Sequence, residues 1–168
     1  IQKYMSNVSV GGTLWHAKQV SNNPIQILKA EISSEKFKTS DIFCVCDDLY
    51  ISVDYEVREK ITGVAVAVII HASDGALLFS TEDTDSQLNP LDCRLPGHYH
   101  AIVKIPGHLL NSGDYYVRVG CGSRNENFDN VEALRFRLVE TRNHLISGYR
   151  NSAYFLPMLD WNTELIQN

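Results

Sequence analysis

Leu49-Tyr50-Ile51-Ser52-Val53-Asp54-Tyr55-Glu56-Val57 sets the fold class. Leu49, Ile51, Val53, Tyr55 and Val57 alternate with Tyr50, Ser52, Asp54 and Glu56, so an extended chain presents one apolar face and one wet face. A helix would scatter these apolar residues around its whole circumference. Upstream, residues 25–32 read as a first strand. Downstream, residues 63–71 are rich in Val and Ile, with small Ala65 and Ala67 on the opposite face. Ser73-Asp74-Gly75 then turns the chain into residues 76–81, a β-hairpin.

A polar loop over 82–96 leads into Gly97–Ile105, where Tyr99, Ala101, Val103 and Ile105 alternate with His98, His100, Ile102 and Lys104. Pro106 stops that strand, because proline has no N–H to give a ladder. Leu109-Leu110-Asn111-Ser112-Gly113 reads as a short apolar plug with a tight turn, followed by a strand over 114–122 and a polar loop over 123–130. The last strand, 133–140, points Leu134, Phe136 and Leu138 inward and Arg135 and Arg137 outward. Short strands at this spacing predict an all-β protein, an immunoglobulin-like antiparallel β-sandwich with a jelly-roll arrangement as the variant.

A length of 168 residues suits one domain with one core. The chain is 44% hydrophobic and 21% charged, and no apolar run approaches the roughly 20 residues of a membrane-spanning helix. A net charge of -5 disfavours nucleic acid, whose phosphates require clustered, uncompensated Lys and Arg. The chain opens at Ile1 without a charged and then apolar leader, which suggests a fragment. Residues 1–24 read as a linker or N-terminal arm anchored by Trp15, and 25–168 as the sandwich. The tail over 154–166 carries Phe155, Leu156, Met158, Leu159, Trp161 and Leu165, and needs an apolar partner in this chain or in a second copy. Cys44, Cys46, Cys93 and Cys121 are expected as reduced, partly buried thiols, since a chain this long can build its core without disulfides. Asn7-Val8-Ser9 matches a glycosylation acceptor pattern short enough to arise by chance.

Catalysis has no positive signature. There is no nucleophile elbow and no phosphate-binding loop, and paired carboxylates cannot be recognised before folding. His98 and His100 share one strand face, as two metal ligands would, but no third ligand follows at a metal-like spacing, so neither metal nor cofactor is expected. The candidate binding residues form an outward row: His98, His100 and Lys104 on one strand, Tyr116 and Arg118 on the next, and Arg135 and Arg137 on the one after. Sugars offer hydroxyls to planar donors and acceptors and CH faces to aromatic rings, so a sheet face of this composition suits a glycan; the same polar row also fits the solvated face of a structural or dimerising sandwich without ligand, and a glycan-processing enzyme is the remaining alternative. The guanidiniums also suit an acidic or phosphorylated sugar end.

The stretch from Asp48 to Gly120 resembles the C-terminal domain of Wzt-type ATP-binding subunits of polysaccharide ABC transporters. The likeness runs through Leu49 to Val53, Val64 to Ile70, the Asp74-Gly75 turn with Leu78-Phe79 and Asp83, Gly97-His98-Tyr99, Ile105-Pro106, Leu109-Leu110-Asn111 and Gly113 to Val117. The ending Leu156-Pro157-Met158-Leu159-Asp160-Trp161 is similar to the proline-and-tryptophan close of many such chains. The resemblance implies a non-catalytic domain that recognises the non-reducing end of an O-antigen polysaccharide and couples chain completion to export. It also implies a homodimer in which the tail is exchanged or packed, a transporter membrane subunit reached through the parent chain, and a place at the cytoplasmic face of the inner membrane. The nucleotide-binding domain that precedes such modules is not part of this sequence, so the chain itself is not expected to bind or hydrolyse ATP.

Overall fold

A computed structural model describes residues 12–35, 40–85, 93–140, 152–157 and 159–164. Among the described residues eleven strands follow one another: β1 (Leu14–His16), β2 (Ile25–Ser34), β3 (Ile42–Cys44), β4 (Leu49–Val57), β5 (Ile61–Thr62), β6 (Val64–Ala72), β7 (Leu77–Glu82), β8 (Cys93–Arg94), β9 (Gly97–Ile105), β10 (Gly113–Ser123) and β11 (Asn127–Val139). One sheet has the order β1-β2-β4-β9, the other β3-β11-β10-β6-β7, and β5 and β8 make a small ladder of their own. The two large sheets pack across a single core, and the protein is an all-β sandwich. Among the described residues, no helix is long and apolar enough to cross a membrane.

The period-two reading is realised residue by residue. Along β4 and β6 every alternate side chain is buried, from Leu49 to Val57 and from Val64 to Ala72. Ile25, Ile27, Ile32, Ile51, Ile70, Val117 and Leu134 have essentially no exposed surface, and each such side chain contributes about 1.5–3 kcal/mol. Gly75 closes the β6–β7 hairpin at φ 94°, a left-handed conformation in which a side chain would be strained.

Several expectations are corrected. The sandwich is not wholly antiparallel, because β3 runs parallel to β11, with Ile42 opposite Arg137 and Cys44 opposite Val139. The expected loop over 123–130 is mostly strand, since β10 and β11 pair from Gly113–Leu138 as far as Gly122–Asn127. Register shifts that leave Ala133 and Phe128 without a counterpart explain the difference: each bulge inverts the in–out alternation and hides the strand from a period-two reading. Cys44 and Cys46, expected as thiols, form a disulfide, which the tight turn between β3 and β4 permits by holding their Cα atoms 5.1 Å apart. Cys93 and Cys121 are free. The chain crosses closely here: a Cβ on Gly107 would lie 2.5 Å from the Cys46 carbonyl oxygen, so only glycine fits.

Within the N-terminal stretch, β1 adds an edge to β2 through the pair Trp15–Ala30, and Trp15 packs against the core. Asn7-Val8-Ser9 lies outside the described residues, as does 86–92 of the expected polar loop. Near the C-terminus, Phe155 bridges Leu110, the Leu156 N–H donates to the Leu109 carbonyl, and the Asn111 N–H donates to the Tyr154 carbonyl. Leu156 is buried by this docking, whereas Leu159 and Trp161 are 69% and 88% exposed.

One polar cluster lies inside the apolar frame. Arg94 is 1% exposed and donates through Nη2 to both carboxylate oxygens of Asp83, at 2.7 and 2.6 Å, while its Nε donates to the Tyr55 hydroxyl at 3.2 Å. Asp83 Oδ1 also accepts the Val66 N–H at 2.9 Å, which ties the end of β7 to β6. Among the described residues Arg94 Nη1 has no hydrogen-bond partner.

Candidate functional site

The sandwich separates the outward row that the sequence suggests. β9 belongs to the four-stranded sheet, and β10 and β11 to the five-stranded one. His98, His100 and Lys104 therefore face outward from one side of the protein, while Tyr116, Arg118, Arg135 and Arg137 face outward from the other. Strands adjacent in sequence are often neighbours in space, but the connection over 106–112 carries the chain from one sheet to the other.

The five-stranded face holds the better-formed site. Its outward residues are fixed by the ladder: Ala65 lies beside Gly122, Ala67 beside Gly120 and Glu82, Ile69 beside Arg118 and Ser80, and His71 beside Tyr116. Ala65, Ala67, Gly120 and Gly122 have at most one carbon of side chain, so they form a low floor between taller neighbours. A Cβ on Gly120 would sit 3.3 Å from the Asp129 carbonyl oxygen, and one on Gly122 only 2.7 Å from that of Glu126, so larger residues would disturb β11 as well as fill the floor. Glu82, Thr84, Arg124, Glu126 and Asn130 rim this depression of about 550 Å³. Further along the same face, Asp41, Asp114, Tyr116, Arg135 and Arg137 line a second depression of about 500 Å³. Between the two, the rings of His71 and Tyr116 stack within 2° of parallel, centroids 4.7 Å apart. Among the described residues, the buried Nδ1 of His71 has no hydrogen-bond partner.

Two of the cations on this face are paired with carboxylates and a third with an amide. Arg137 forks onto Asp114, Nε to Oδ1 at 2.6 Å and Nη2 to Oδ2 at 3.1 Å, and this hydrogen-bonded cation holds the Asp114 carboxyl below its usual range. Arg135 Nε donates to Glu132 Oε1 at 3.0 Å, and Arg118 Nε to Asn130 Oδ1 at 3.1 Å. On the opposite face, Lys104 binds Asp48 at 2.6 Å and His100 binds Asp54, while His98 stands exposed at the edge of a shallower hollow of about 390 Å³ shared with His16 and Asp54. The hydrogen bond from Lys104, supported by the Gly107 N–H, lowers the Asp48 carboxyl.

A third space, about 560 Å³, opens between the sheets where the edge strands β7 and β9 lie apart. Ile51, Val53, Val66 and Val68 give it apolar walls that open onto the core, and Thr81, Glu82, Asp83, Asp85, Tyr99 and His100 line it as well. Among the described residues, no group of three or more His, Cys, Asp or Glu side chains converges as a metal site requires.

The family model for the Wzt C-terminal domain matches residues 16–151. The chain belongs to the Wzt C-terminal domain family. The solved structure "Crystal structure of the C-terminal domain of wzt" superposes with a TM-score of 0.68 at 11% identity, covering 90% of this chain and 87% of that one, and shares the fold of this Wzt-family domain. The structural-genomics target SoR45 is aligned over 74% of this chain and 92% of that one, with 14% identity and a TM-score of 0.31, too low to carry weight. No curated protein sequence matches the chain.

Several residues of this face escape a reading by residue type. Ala67 and Gly120 carry no recognisable chemistry, and His71 lies at the end of a strand dominated by Val and Ile. Asn130 and Glu132 fall where the bulges obscure β11. Cross-strand pairing, which only the ladder supplies, brings these residues beside Arg118 and Tyr116.

Proposed function

We propose that this domain is a non-catalytic glycan-binding module that uses the outer face of the five-stranded sheet to hold the non-reducing end of an O-antigen polysaccharide. One observation carries the reading: a floor of Ala65, Ala67, Gly120 and Gly122 is continued along the same face, past the Ile69–Arg118 pair, by the His71–Tyr116 stack, with the Asn130 amide held by Arg118 and the Asp114 carboxylate held by Arg137. An apolar floor meets the CH face of a sugar, and oriented polar groups at its rim meet the hydroxyls. Membership of the Wzt C-terminal domain family supports the polysaccharide as ligand and an ABC transporter as the setting. In that setting the domain acts at the cytoplasmic face of the inner membrane through its parent chain, meets the membrane subunit there, and pairs as a homodimer whose exposed Leu159 and Trp161 find cover in the second copy.

Tyr116, Arg118, Arg135 and Arg137 are the binding residues on this reading, joined by His71 and Asn130. His98, His100 and Lys104, on the far side, contribute to the same sugar only if the polymer wraps around the domain.

An NMR titration with the purified polysaccharide of the source strain, beside the same polymer stripped of its terminal residue, tests the proposal. Saturable shifts on β6, β10 and β11 with the intact polymer alone support a chain-end reader. Ala67→Trp, which fills the floor from the solvent side, abolishes them without unfolding the protein. Shifts that survive this substitution place the sugar elsewhere, and no shifts with either polymer leave a dimerising sandwich as the better description.

A further inference from the structure

The sequence suggests that the guanidiniums await an acidic or phosphorylated sugar end. The ladder provides otherwise. Asp114 stands opposite Arg137 and Glu132 opposite Arg118, so the backbone register fixes a carboxylate beside each of these cations. Arg137 is bidentate to Asp114, Arg135 binds Glu132, and Arg118 binds the Asn130 amide. Around the two depressions Asp41, Glu82 and Glu126 add negative charge, against which Arg124 is the further cation. Arg118, Arg124, Arg135 and Arg137 are thus outnumbered by Asp41, Glu82, Asp114, Glu126 and Glu132, and the face is slightly acidic.

An anion arriving at Arg137 would have to displace Asp114, which remains alongside as a like charge. A hydroxyl meets no such conflict, because a carboxylate already holding a guanidinium has lone pairs left to accept an O–H, and the guanidinium has N–H groups left to donate. Asn130, Ser80 and Thr84 offer further uncharged donors and acceptors on the same side.

Building on the glycan-binding reading, we infer that this face selects an uncharged sugar end, such as a neutral hexose or 6-deoxyhexose, and rejects ends bearing phosphate or carboxylate. The carboxylates act as acceptors for sugar hydroxyls and as the exclusion device.

The test titrates a panel of oligosaccharides with neutral hexose, 6-deoxyhexose, hexuronic acid and hexose 6-phosphate ends, followed by NMR, together with inorganic phosphate alone. Binding confined to the neutral members is expected, with an affinity that changes less than about twofold between low and high salt, since no net charge is neutralised. Inorganic phosphate leaves the resonances of β10 and β11 unmoved in the wild type. In Asp114→Asn/Glu132→Gln, which keeps the shape but frees two guanidiniums, phosphate shifts them. Tightest binding of the uronate or phosphate member, weakened by salt, overturns the inference and leaves the glycan-binding reading intact. If no member moves the face, that reading falls and the inference with it.

Discussion

Replacing Arg94 with Met removes the cation from the buried pair and leaves its partner in place. Arg94 is 1% exposed and the Asp83 side chain 13%, so Asp83 would keep a nearly water-excluded charge. What remains to it is the Val66 N–H at 2.9 Å and the Tyr55 hydroxyl at 3.4 Å. Breaking a buried pair from one side costs about 3–5 kcal/mol. The surviving backbone bond and the position of Asp83 beside the open side of the sandwich place this case near 3 kcal/mol, a large part of the roughly 5–15 kcal/mol that holds an ordinary domain together. At about 2–4 °C per kcal/mol for a chain of this size, the melting temperature falls by about 6–12 °C. Arg94→Met/Asp83→Asn removes the orphaned charge while an amide oxygen still accepts from Val66, and recovers at least half of the loss. Denaturant unfolding followed by far-ultraviolet circular dichroism measures both variants. A loss under about 1 kcal/mol in the single variant, or a double variant less stable than the single, refutes the reasoning that the pair is held by mutual neutralisation.

Iodoacetamide at mildly alkaline pH adds to one site on the folded, unreduced protein, because Cys93 is exposed while Cys121 is 2% exposed and its thiol is pushed up to about 12 by burial. Unfolding exposes a second site and reduction releases Cys44 and Cys46; more than one adduct on the folded chain, read by mass spectrometry, contradicts this assignment. The Asp74 carboxyl is lowered from 3.8, chiefly by the Tyr154 hydroxyl and then by the Ala76 N–H, so its hold on the tail is complete above pH 3.8 and lost as pH falls through the lower, folded value. Amide-exchange protection at Leu156 follows that course, and in Asp74→Asn the acid-dependent loss disappears. The Asp129 carboxyl is raised by burial against the opposing pull of the Ile27 and Asn130 N–H groups, so its ionised form works against folding once pH exceeds the folded value. Asp129→Asn is therefore more stable than the wild type at pH 7 and not below pH 3.8, as compared by thermal melts.

Long strands with uninterrupted alternation are legible in the chain, and β4, β6 and β9 lie where period two puts them. The two- and three-residue strands β1, β3, β5 and β8 are too short to show a period. β11 is readable only beyond Ala133, because two bulges invert its faces. Strand partnership is not written in alternation at all: β9 and β10 carry similar outward residues and face opposite ways. The candidate site shares that limitation. Tyr116, Arg118, Arg135 and Arg137 are legible as outward polar groups, but their carboxylate partners depend on register, and the floor beside them is recognisable only once Ala67 and Gly120 are known to be neighbours.

The parallel pairing of β3 with β11 has a consequence for synthesis. Ile42 meets Arg137, about 95 residues later in the chain, so at roughly 5–20 residues per second the ribosome needs about 5–20 seconds after making β3 before its partner exists. During that interval β2 and β4 can pair as neighbours, but β3, an edge of the second sheet, lacks β11, the strand that joins it to the rest of that sheet, and Phe43 lacks Phe136, against which its ring packs. A nascent chain in this condition is a natural client for a holding chaperone. Its yield in cells responds to elongation speed over the stretch of message between β3 and β11.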